Sequence, residues 1–66
     1  MINRIIKTYP TSNGPIDVVA CWDGDDVGHP DFYDLFDAVG ECQNLGEPFY
    51  SLPTLHEVTR FLNEIA

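Results

Sequence analysis

Thr54-Leu55-His56-Glu57-Val58-Thr59-Arg60-Phe61-Leu62-Asn63-Glu64-Ile65 is the stretch on which the fold turns. Thr54 and Glu57 have capping-box spacing: the Thr54 hydroxyl faces the Glu57 N–H, and the Glu57 carboxylate reaches back to the Thr54 N–H. Leu55, Val58, Phe61, Leu62 and Ile65 then recur at helical spacing and form one apolar stripe. His56, Glu57, Thr59, Arg60, Asn63 and Glu64 form the opposite, polar face, on which Arg60 and Glu64 stand one turn apart. A helix of about eleven residues is marginal alone in water, so the stripe must dock on something.

The rest of the chain offers short runs rich in β-branched and aromatic residues, each ended by glycine or proline. Ile2 to Tyr9 predicts a first strand with imperfect alternation. Tyr9-Pro10-Thr11-Ser12-Asn13-Gly14-Pro15 reads as a turn, with Asn13-Gly14 supplying a positive-φ position and the two prolines ending regular structure. Ile16 to Trp22 is a second strand. Ile16, Val18, Ala20 and Trp22 share one face, and Asp17, Val19, Cys21 and Asp23 share the other. Apolar residues on both faces place it centrally in a sheet. Phe32 to Asp37 and Glu41 to Leu45 predict a third and fourth strand. Between them, Ala38-Val39-Gly40 serves as a three-residue loop with Gly40 left-handed.

The expected architecture is α+β: a four-stranded antiparallel β-meander with one C-terminal α-helix packed on one face, forming a single compact domain over residues 1–66. One helix covers only part of such a sheet. The second face is left partly bare, with Trp22, Tyr33, Phe49 and Tyr50 as candidates to occupy it or to bury it in a homodimer.

Charge narrows the function. The chain carries eleven Asp and Glu against three Lys and Arg, a formal net charge of −8. The basic residues are Arg4, Lys7 and Arg60, and eight of the acids fall between positions 17 and 41. This balance argues against a direct grip on nucleic acid or on an anionic membrane, both of which need clustered Lys and Arg. No apolar run approaches the ~18 residues of a spanning helix. The first residues lack a secretory h-region, so the expected setting is cytoplasmic with reduced thiols at Cys21 and Cys42.

The motifs for chemistry are weak. Asp23-Gly24-Asp25-Asp26 invites a Ca²⁺ reading, with Gly28 at the sixth position of an EF-hand-like loop. Val27, however, stands where a fifth-position Asp or Asn belongs, and Asp34 where a bidentate Glu is expected. His29, His56, Cys21 and Cys42 are scattered singly and make no chelating half-site. No glycine-rich phosphate loop occurs, and neither Ser12 nor Ser51 stands in a nucleophile-elbow context. The expectation is a non-enzymatic protein with no cofactor and no metal.

The sequence favours a small acidic binding or regulatory protein that offers a strand and loop surface to a protein partner with a basic surface. The residues expected to carry it are Trp22, Asp23, Asp25, Asp26, Asp31, Tyr33, Asp34, Asp37 and Tyr50. Trp22 and Tyr50 are the aromatic anchors of that reading. The alternative is a nucleic-acid mimic, whose carboxylates stand in for phosphates on a DNA- or RNA-binding protein.

Overall fold

In the computed structural model, which describes residues 2–24 and 28–65, the order is β1 (Ile2–Thr11), β2 (Gly14–Trp22), β3 (Phe32–Phe36) and α1 (Leu55–Ile65). The three strands form one antiparallel sheet in the order β1-β2-β3. The α+β class and the C-terminal helix match the sequence expectation. The fourth strand is not seen among the described residues, so the sheet is a three-stranded meander.

β2 is central because it is apolar on both faces. Ile16, Val18, Ala20 and Trp22 lie on the helix side and are buried together with Tyr33, Leu35, Val58 and Leu62. Ile2, Tyr9, Phe49 and Phe61 pack against this cluster from its rim. On the second face Val19 and Cys21 are also buried. Their cross-strand partners are Ile5 and Asn3 on β1, and Asp34 and Phe32 on β3.

The turn between β1 and β2 differs from expectation in one respect: both prolines lie inside strands. Pro10 pairs with Pro15, next to the Thr11–Gly14 pair that closes the turn. Pro10 is tolerated because β1 is an edge strand, and Pro15 because it is only the second residue of β2. Gly14 supplies the positive φ, at 104°. The Thr11 hydroxyl donates to the Gly14 carbonyl and accepts from the Asn13 N–H.

The imperfect alternation of β1 has a structural cause. Ile5 pairs with Val19 and Lys7 with Val18, so Ile6 is an extra residue and the strand bulges there. The bulge changes the phase of everything after it. Arg4 and Lys7 fall on the same face, and Tyr9 lands on the helix side, where its hydroxyl donates to the Pro53 carbonyl at 2.9 Å.

The capping box is formed in both directions. Thr54 N–H donates to Glu57 Oε1 at 3.1 Å, and Glu57 N–H donates to Thr54 Oγ1 at 3.2 Å. Val58 and Leu62 are the buried centre of the helical stripe, Phe61 is half-buried, and Leu55, at the first turn, is exposed. The rings of Phe61 and Phe49 meet edge to face, with centroids 5.6 Å apart.

The predicted loop at Ala38-Val39-Gly40 is present. Gly40 has φ 85°, and Asp37 N–H donates to the Glu41 carbonyl across three residues. The segment from Glu41 to Leu45 is not a strand. Cys42 makes one isolated bridge with Phe36, and Gln43 N–H donates to the Leu35 carbonyl. The chain then leaves the ladder, and the side chain of Asn44 takes over. Its Oδ1 accepts from Leu35 N–H at 2.9 Å, and its Nδ2 donates to the Tyr33 carbonyl at 3.4 Å and to the Glu47 carbonyl at 3.2 Å. Asn44 is 2% exposed. Beyond it, Phe49 exchanges both backbone hydrogen bonds with Tyr33. The outer edge of β3 is therefore closed by two fragments of backbone and one amide side chain in place of a continuous fourth strand.

Candidate functional site

The nine residues expected to form a partner surface do not share one environment. Trp22 and Tyr33 are buried in the core under the helix, at 7% and 5% exposure. The structure therefore corrects their placement on a bare sheet face. Trp22 faces inward because Ile16, Val18 and Ala20, at alternate positions of the same strand, do so. Its indole N–H donates to the Gly28 carbonyl at 3.0 Å, which ties the loop after β2 to the core. Phe49 packs against the same core. Of the four aromatics considered for an uncovered face, Tyr50 is the one left exposed, at 77%.

The aspartates divide by what holds them. Asp31 closes the stem of the loop between β2 and β3: its N–H donates to the Cys21 carbonyl, and its Oδ2 accepts from Asp23 N–H. Asp37 organises the next turn. Its Oδ1 accepts from the N–H groups of Val39 and Glu41, and its Oδ2 accepts from the Gln43 amide. Such carboxylates hold loops in shape as short polar side chains do in Asx-turns, and they still carry their charge outward. Asp34 projects on the second sheet face, half-buried beside Cys21. Asp25 and Asp26, with the centre of the EF-hand-like loop, lie outside the described residues. Among the described residues, no group of three or more His, Cys, Asp or Glu converges on a point where a metal ion would sit.

Cys21 and Cys42 carry free thiols. Burial pushes the Cys21 thiol up to about 11 from its ordinary 9.0, and the charge of Asp34, a hydrogen bond to Asp34 and the nearby Cys42 act in the same direction. The Cys21 Sγ lies 3.8 Å from Asp34 Oδ2 and 3.7 Å from the Val19 carbonyl. A thiol held protonated is a poor nucleophile at neutral pH.

The strand order sorts the charges. β1, at one edge, carries Arg4 and Lys7, both exposed. Lys7 Nζ sits 5.7 Å from the centroid of the Tyr9 ring. β3, its flanks and the segment that closes its outer edge carry Asp31, Asp34, Asp37, Glu41 and Glu47, with no basic residue among them. The third base, Arg60, pairs with Glu64 on the outer face of α1 at 3.4 Å. Two interstrand spacings separate the edges, about 10 Å. That exceeds the Debye length of about 8 Å at physiological salt, so the two fields do not cancel.

The sequence did not single out Glu41, Glu47 or Asn44. The first two extend the acidic edge. The third holds the segment that carries them, and a polar residue between Gln43 and Leu45 gives no sign of being buried. Among the described residues, no helix is long and apolar enough to cross a membrane. No protein-family model, no curated protein and no solved structure matches the chain.

Proposed function

We propose that the protein is a small non-enzymatic binding or regulatory protein whose acidic edge docks on a protein partner with a basic surface. The observation that carries this reading is the sorting of charge by strand order. Five carboxylates, Asp31, Asp34, Asp37, Glu41 and Glu47, gather on and around β3, and the basic residues of the sheet sit on the far strand. A surface of one sign steers an oppositely charged partner and fixes its orientation. Tyr50 supplies an exposed aromatic ring one residue from Phe49, which is bonded to β3. Trp22 and Tyr33 contribute by holding the core beneath that edge.

Nucleic-acid mimicry is the alternative. It needs carboxylates at regular spacing along an exposed face. The half-burial of Asp34 and Asp37 between exposed acids works against that regularity.

The test is affinity capture with the tagged full chain, repeated with a triple Asp23→Asn, Glu41→Gln, Glu47→Gln variant. The hydrogen bonds that hold the loops and close the edge of β3 use none of these three side chains, so the fold should be kept. A partner lost by the variant and by raised salt supports the proposal. A partner retained by the variant refutes it, and a partner displaced by competitor DNA transfers support to mimicry.

A further inference from the structure

The two edges of the sheet are finished differently. The outer edge of β3 is closed by Gln43, Asn44 and Phe49. β1 is the other outer strand, and residues 3 to 8 along it are exposed. It runs from Ile2 to Thr11, long for an edge strand. Natural proteins usually protect such an edge with shortness, charge or a bulge, because it is a template for pairing. Here charge and a bulge are present, and both are arranged directionally. The bulge at Ile6 brings Arg4 and Lys7 onto one face, as their partners Ala20 and Val18 show. The opposite face presents Ile5, 61% exposed, next to the buried Val19, and the bulged Ile6 is itself 41% exposed.

We infer that β1 accepts an extended segment of a partner protein as an added strand, one with carboxylates on its helix-side face and apolar side chains on the other. Backbone pairing along an open edge supplies affinity, and alternate side chains supply selectivity. Arg4 and Lys7 select acidic residues on one face, while Ile5 and Val19 extend an apolar strip that the added strand continues. A second copy of this chain fits poorly. Antiparallel pairing of two β1 strands that brings the isoleucines together sets Arg4 against Lys7 of the other copy and joins two chains of net charge −8. This surface is distinct from the acidic edge and takes the opposite charge.

The probe is an alternating Glu-Val peptide long enough to span β1, titrated into isotope-labelled full chain and followed by amide NMR, with a Lys-Val peptide of the same length as control. The expected result is saturable shifts centred on residues 3 to 9, slowed exchange of β1 amides, and no comparable shifts of those residues with the Lys-Val peptide, which the acidic edge would take instead. The Arg4→Glu, Lys7→Glu double variant should bind the Glu-Val peptide about tenfold more weakly, from two exposed charge contacts reversed. Equal shifts of residues 3 to 9 by both peptides overturn the inference, as does the absence of saturable shifts there up to about 1 mM Glu-Val peptide, an affinity of about −4 kcal/mol. Shifts centred on residues 31 to 37 with the Glu-Val peptide also overturn it. So does a sedimenting dimer whose β1 amides are protected without peptide, which would assign the edge to a second copy. The peptide comparison uses the unmodified chain, so it stands even if the double variant does not fold.

Discussion

Replacing Asn44 with alanine should destabilise the fold through the backbone group it leaves unpaired. The side chain accepts from Leu35 N–H and donates to the carbonyls of Tyr33 and Glu47, and the residue is 2% exposed. Asn44→Ala removes these partners while leaving the β3 backbone where it is. A buried backbone group left without a partner costs about 1–3 kcal/mol. The Leu35 N–H is such a group, whereas the Tyr33 carbonyl keeps the Phe49 N–H at 3.1 Å, so the loss is about 2 kcal/mol. A chain this short has about 3–10 kcal/mol to lose in total, scaling the usual stability per residue. At about 4–8 °C per kcal/mol for a domain of this size, Tm should fall by about 8–16 °C. Thermal and urea melts by circular dichroism give the global number. Hydrogen exchange gives the local one, because the Leu35 amide should lose protection before the amides of the β1–β2 ladder. A variant melting within about 3 °C of the parent, with Leu35 still protected, would refute the claim that this amide stands in for a strand.

Other substitutions test other joints. Thr54→Ala removes one half of the capping box and should cost about 1 kcal/mol; a Tm unchanged in the melt would show that the helix start does not depend on it. Phe61 is half-buried and meets Phe49 edge to face. Phe61→Ala should therefore cost about 2 kcal/mol, below the 3–5 of a fully buried ring, and a melt within about 2–3 °C of the parent would remove the contact from the packing. Cys21, raised to about 11 from 9.0, stays protonated in the fold where the unfolded thiol ionises. The fold then binds more protons than the unfolded chain between these values. Its contribution is full below about pH 9 and is lost as pH rises toward about 11. Urea midpoints should hold level to about pH 9 and then fall more steeply for the parent than for Cys21→Ala, and parallel curves would contradict the burial of this thiol.

Helix α1 was legible because its signals are local and agree with one another: the cap, the stripe and the Arg60–Glu64 spacing all lie within four residues of their partners. β2 was legible because apolar residues on both faces leave no position but the centre. The end of β3 was half legible. Gly40 marked the turn, but nothing between Glu41 and Leu45 announces that backbone pairing stops after Gln43 and an amide side chain takes over. That exchange is tertiary, decided by where the chain must go to reach Pro53 and the helix. Trp22 misled for a related reason. A large aromatic beside an acidic loop suits a recognition surface equally well, and its inward direction follows from strand parity rather than from residue type. The charge run was plain in the sequence, whereas its separation into two edges required the strand order.

The extra residue at Ile6 makes chain length a constraint of its own in β1. Before it the strand counts in one phase and after it in the other, and the Tyr9 hydroxyl meets Pro53 only in the second. Exchanging one exposed side chain for another along this strand leaves the count intact. Deleting one residue between Asn3 and Thr8 does not: it irons out the bulge or unseats Tyr9. The segment should thus drift freely in composition while resisting any insertion or deletion, the reverse of the tolerance expected at a surface loop.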